Sequence, residues 1–170
     1  EQAIGLGRQI ASSAVLSLPL AAKAALLQAH GDAEGAQATL QAALEIAGSQ
    51  SLSDGGWLLA RSAQYALLRG DLPTARHALD EGGFACGERP DYLRFEGQLS
   101  AARLLIADGR AGEALAWLDT LRSFTTEHAL VRWQITVDVL RALALESAGE
   151  RPTAREALRQ ALQIAGDQPA

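Results

Sequence analysis

Methionine is absent from the 170 residues, and cysteine occurs once, at Cys86. One cysteine excludes an internal disulfide and makes a reducing, cytoplasmic setting the simple expectation. Dense Lys/Arg clusters are lacking, and 15 basic residues against 20 acidic ones leave a net charge of −5. An acidic chain without a basic stripe is poorly suited to gripping phosphates, so no direct nucleic-acid contact is expected of it. Every apolar run is broken by polar or charged residues before it reaches the length of a membrane span, and no signal peptide is visible. Only five prolines and few β-branched runs interrupt the chain. It starts at Glu1 and reads as an excised fragment of a longer protein, although a processed or tag-cleaved domain would look the same.

What remains is 48% hydrophobic and 21% charged, a globular balance. Alanine and leucine, both strong helix formers, supply much of the apolar share. The fold expected is therefore all-α, in a chain long enough to bury a core as one domain.

One short phrase recurs four times: Gly31-Asp32, Gly70-Asp71, Gly109-Arg110 and Gly149-Glu150. The glycines stand 39, 39 and 40 residues apart. Five residues after each comes an alanine (Ala36, Ala75, Ala114, Ala154) and nine after each a leucine (Leu40, Leu79, Leu118, Leu158). Seven before each stands another alanine: Ala24, Ala63, Ala102, Ala142. Three offsets filled in four copies exceed what composition supplies, and such periods mean stacked repeats. A glycine past a helix's last turn adopts the left-handed conformation freely, and an aspartate after it caps the next helix. Each phrase is thus the hinge of an antiparallel helix pair. The alanines permit close helix approach, and the leucine fills the space toward the next pair.

Four hairpins follow, over about 18–48, 53–83, 91–123 and 125–165, together spanning 18–166. Residues 1–17 read as the end of a preceding repeat helix and 167–170 as an aperiodic tail. Ser17 and Pro19 suggest a helix start. Gly48 to Gly56 reads as a loop, with Trp57 opening the next helix. Gly82 to Pro90 is the longest irregular connection. Asp91 caps the third pair, Thr125-Thr126-Glu127 begins the fourth, and the helix after it looks longest.

These residues resemble the tetratricopeptide repeat in their small residue, Gly-Asp turn, alanine and later large apolar residue. The period exceeds the usual 34 or so, and the bulky aromatic common near the start of the first helix is mostly missing. Longer repeats of this kind are similar to the superhelical domain of MalT-like, LuxR-type ATP-dependent transcriptional activators. Ile106 to Leu115, Leu143 to Arg151 and Glu156 to Ala165 carry that likeness. The resemblance implies a right-handed superhelix, an α-solenoid of about four antiparallel hairpins. It also implies an NTPase domain upstream and a helix-turn-helix domain downstream, with the repeats receiving a small-molecule inducer or a regulatory protein. Neither a Walker motif nor a basic recognition helix is present in this chain.

Catalytic and metal chemistry find no purchase. His30, His77 and His128 have no second ligand at a metal spacing. Cys86 has no histidine partner that spacing can propose, and Ser12-Ser13 and Thr125-Thr126 have no placed base. No cofactor, metal or enzymatic activity is expected.

The tetratricopeptide register implies that positions thirteen, ten, six, three and two before each glycine line the binding groove. Among them Trp57, Gln64, Glu96 and Arg103 stand out, joined by Gln28, Leu67, Leu99 and Ile106. An aromatic ring with Gln, Glu and Arg suits a sugar, an acyl amide or a peptide. The plainer alternative has Trp57 plugging a gap between hairpins and Glu96–Arg103 as a surface pair. The function expected is a non-catalytic sensor domain of a transcriptional regulator. The alternative is a general tetratricopeptide scaffold for protein–protein interaction.

Overall fold

A computed structural model describes residues 13–48 and 52–166. Among them all regular secondary structure is helical, without strands. The α-helices are α1 (Ser13–Ala29), α2 (Ala33–Gly48), α3 (Leu52–Leu68), α4 (Leu72–Glu81), α5 (Phe95–Ala107), α6 (Ala111–Glu127), α7 (Val131–Ser147) and α8 (Arg151–Gly166). A single 3-10 turn, Tyr92–Arg94, leads into α5. The chain forms two compact units, Glu1–Phe84 and Ala85–Ala170.

The glycine phrase is the hinge in all four hairpins. Gly31, Gly70, Gly109 and Gly149 have φ of +82°, +73°, +75° and +84°. In each case the following residue donates its N–H to the carbonyl five residues back: Asp32 to Leu27, Asp71 to Ala66, Arg110 to Leu105, Glu150 to Leu145, at 2.8–2.9 Å. This closure satisfies carbonyls that a helix end leaves without partners and turns the chain back on itself. The next helix is then capped by Asp32, which accepts from Gly35 N–H at 2.8 Å, and by Asp71, which accepts from Thr74 N–H at 3.1 Å. In the third copy the Arg110 side chain makes no cap bond, and it pairs with Glu113 instead.

In the first unit α1 packs on α2, α2 on α3 and α3 on α4, and the first helices α1 and α3 also touch. Its core holds Leu20, Ala24, Ala36, Leu40, Ala43, Ala47, Leu58 and Tyr65. The second unit repeats the pattern, with α5 on α6, α6 on α7, α7 on α8 and a further contact of α5 with α7. Phe95, Leu99, Ala102, Trp117, Leu118, Leu121, Val137 and Leu140 lie in its main core cluster. All four alanines at plus five and all four at minus seven are buried. The small residues therefore sit where the helices of a pair approach closely.

Four boundaries differ from the sequence expectation. Helix α1, described over Ser13–Ala29, runs through Pro19, so 17 and 18 lie in one continuous helix. Burial of Ser17, Leu20 and Ala24 on one side holds the helix across the missing proline N–H. Residues 1–12 and 167–170 lie outside the described residues. Helix α3, described over Leu52–Leu68, takes in Gly55 and Gly56, which composition assigns to a loop; residues 49–51 lie outside the described residues. Thr125 and Thr126 lie inside α6, which ends at Glu127, and do not begin the fourth pair. Thr125 is fully buried, and its hydroxyl donates to the Arg122 carbonyl at 2.9 Å, which removes any need for a capping role. Finally, α7 is no longer than its peers, at 17 residues like α1, α3 and α6.

Candidate functional site

The residues singled out from the glycine register fall in different settings. In the first unit, Trp57 is partly buried against the core cluster. Gln64 and Leu67 are half-buried further along α3. Arg61 donates to Gln64 Oε1 at 3.2 Å, one turn away on the same helix. Gln28, on α1, is half-buried with its Oε1 enclosed and without a hydrogen-bond partner. In the second unit, Leu99 is 1% exposed and belongs to the core, so it lines no open groove. Ile106 is partly buried against the same core. Its helix α5 packs on both α6 and α7, and that leaves little of its circumference free.

Arg103 is also drawn inward. Its Nη1 is enclosed and has no hydrogen-bond partner. Burial pulls the guanidinium below its ordinary range, against the opposing pull of the Glu96 charge. Glu96 and Arg103 are two turns apart on α5, and no ion pair within 4 Å joins them among the described residues. They are coupled through space rather than as a closed surface pair.

Glu96 instead faces a pocket of about 240 Å³ lined with Tyr92, Leu130, Val131, Arg132 and Trp133. This pocket is built by an aromatic stack. Trp133, in the first turn of α7, lies nearly parallel to Phe95 with centroids 4.5 Å apart. Phe95 in turn stacks on Phe124 at 5.9 Å, and Phe124 meets the His128 ring at 4.3 Å. Tyr92 sits on the outer side, 4.8 Å from Trp133 and tilted by 55°. The two rings form an open corner rather than a closed sandwich.

Buried Gln98 fixes the segment that carries Tyr92. Its Oε1 accepts from Asp91 N–H at 3.2 Å, and its Nε2 donates to the Arg89 carbonyl at 3.3 Å. The Asp91 carboxylate then accepts from Leu93 N–H at 2.7 Å and starts the 3-10 turn. The Gln98 carbonyl receives the buried Trp117 indole N–H at 3.2 Å. One glutamine thus ties the irregular strand of chain at 89–91 to α5, and α5 to α6.

A second depression lies along α6, lined with Asp119, Arg122, Ser123, Thr126 and Glu127. Two of its charges, Asp119 and Arg122, are already matched. Arg122 Nε meets Asp138 at 2.7 Å, and Arg141 Nε meets Asp119 at 2.8 Å. Asp138 is buried, so this network serves as a clamp between α6 and α7. The Tyr92–Trp133 pocket differs, because Glu96 and Arg132 both line it and neither has an ion pair within 4 Å among the described residues.

Register counting singles out Glu96 and passes over Tyr92, Trp133 and Gln98. Tyr92 and Trp133 stand seventeen and sixteen residues before their glycines, about one turn outside the positions counted. Their signal was residue type alone: aromatics at the entry of successive first helices. Among the described residues no group of three His, Cys, Asp or Glu side chains is placed to hold a metal ion. None of the described helices is long and apolar enough to cross a membrane.

Helical hairpins with a 39–40-residue period, hinged on left-handed glycines, match one family over almost their whole length. The family described as the MalT-like TPR region covers residues 1–169. The chain belongs to the MalT-like TPR family. No curated protein and no solved structure matches it. Family membership makes it a helical-repeat region of the protein-interaction type.

Proposed function

We propose that this MalT-like TPR region is the effector-binding part of a multidomain, LuxR-type transcriptional regulator. It binds a small inducer or a regulatory protein without chemistry and relays occupancy by shifting how its repeats stack. DNA contact belongs to a separate domain, in keeping with the net charge of −5 here. The setting is cytoplasmic. The observation that carries this reading is the family match over residues 1–169, supported by the absence of any catalytic constellation in the sequence.

The parent gene tests it. An upstream Walker motif together with a downstream helix-turn-helix supports a regulator; a gene without either sinks that reading and leaves a tetratricopeptide-type scaffold. The groove itself is tested by affinity. Once a heat-shift screen has found a ligand, Trp57→Ala should weaken a ligand held by the first unit and Arg103→Ala one held by the second, and a ligand whose affinity neither change lowers removes both residues from the groove.

A further inference from the structure

The pocket at the entry of α5 and α7 has three properties that together select a ligand class. Its open wall is aromatic on two sides, through Tyr92 and Trp133. Its carboxylate, on Glu96, lies half-buried, whereas its guanidinium, on Arg132, lies at the exposed rim. Its volume, about 240 Å³, is below the 300 Å³ or so at which drug-sized pockets begin. The other charges nearby are accounted for: Arg94 pairs with Glu88 at 3.4 Å, and Arg103 lies further along α5 with its guanidinium drawn into the protein.

We propose that this pocket binds a small zwitterion whose cation is a methylated ammonium. Aromatic faces attract an ammonium through the ring quadrupole, indole most strongly, and a methylated ammonium suits them best because it is large and weakly hydrated. The Tyr92–Trp133 corner offers such faces beside a carboxylate that makes no ion pair within 4 Å among the described residues and feels the Arg103 charge only at longer range. The cation therefore lodges inward, against the two rings and Glu96, and the ligand's anion points outward to Arg132. Opposite charges at different depths set that orientation. A sugar would not need the two free charges, and a wholly apolar ligand would strand Glu96 in the pocket without a partner. The inference deepens the proposed effector-binding role by naming a site and a ligand class, and it rests on that role only in treating occupancy as non-catalytic.

The test titrates the intact chain with three probes of similar size, read by calorimetry and by the Trp133 indole N–H signal in nitrogen–proton spectra. The probes are glycine betaine (both charges), choline (the cation alone) and 3,3-dimethyl-1-butanol (its neutral isostere). The expected order is betaine, then choline, then the alcohol, with at least a fivefold gap at each step. The Trp133 signal should move while that of Trp117, hydrogen-bonded in the core, stays in place. Tyr92→Ala and Glu96→Gln should each weaken choline at least fivefold, and Arg132→Gln should bring betaine down to the level of choline. Both Tyr92 and Arg132 are exposed, so those variants leave the core intact, and an unchanged melting curve verifies it for Glu96→Gln. Equal binding of choline and the alcohol, equal binding of betaine and choline, or no binding of betaine overturns the proposal. None of these outcomes touches the gene-context test, so the regulator reading stands or falls separately.

Discussion

Ala129 occupies a place that the other hinges give to glycine. Its φ is +53°, and Leu130 N–H donates to the Thr125 carbonyl at 2.9 Å, the same five-back closure seen after the hinge glycines. A side chain in the left-handed region costs roughly 1–2 kcal/mol, while glycine gives back part of that through its looser unfolded state. Ala129→Gly should therefore raise stability by about 0.5–1 kcal/mol in urea unfolding. Gly109→Ala is the mirror experiment and should lower it by about 1 kcal/mol, because open space surrounds the added methyl and only the backbone objects. If the two variants shift in the same direction, the hinge argument fails. Cys86 illustrates a second residue-scale point. It keeps surface exposure, yet burial of the thiol within its loop pushes it up to about 11, with Arg110 lowering it and Glu113 raising it. Because a raised thiol stays protonated at neutral pH, alkylation by iodoacetamide at pH 8 should run about a hundredfold slower than for a free cysteine. The rate should climb about tenfold per pH unit until the pH approaches 11. A plateau below pH 9.5 would contradict the shift.

At the scale of elements, what was legible depended on whether local chemistry and packing agreed. The hinges were legible, because a left-handed turn needs glycine and the cap after it prefers aspartate, and both preferences are written in single residues. The start of α3 was not. Gly48 to Gly56 has loop composition, yet Leu52 is already helical and the helix carries Gly55 and Gly56. Packing of Leu58, Tyr65 and half-buried Trp57 against the first core extends the helix past what propensity alone supports. Neither Gly55 nor Gly56 is there for want of room, since a Cβ at either position meets nothing within 4 Å. Gly55→Ala and Gly56→Ala should each stabilise the chain by about 0.5–1 kcal/mol, the usual difference between alanine and glycine within a helix. Thermal midpoints that fall on substitution would show that these glycines serve something other than the helix. The aromatic pocket was illegible for a different reason. It depends on Gln98 holding the Arg89–Asp91 segment, and a contact between α5 and an irregular connection leaves no periodic trace.

Over the whole molecule, repetition makes equivalent positions comparable, and their differences measure what stacking contributes. The leucine nine residues after each hinge is the clearest case. Leu40 and Leu118 are fully buried, in core clusters shared with the first helix of the next hairpin: α3 for Leu40, α7 for Leu118. Leu158, at the same register on α8, is 43% exposed, and Leu162 one turn on is 65% exposed. Sequence alone treats these leucines as identical; their burial depends on what lies across from them. In a stacked array, stability is close to a sum of repeat terms and nearest-neighbour terms, so the same substitution should cost different amounts at different places. Leu118→Ala removes a filled core position and should cost about 3 kcal/mol. Leu158→Ala removes a side chain that already meets water and should cost less than about 1 kcal/mol. Urea unfolding of both variants checks the pair. Equal losses would mean that the leucine acts through its own helix and not through the neighbouring hairpin, and the physical reading of the repeat as a stacking unit would then have to be abandoned.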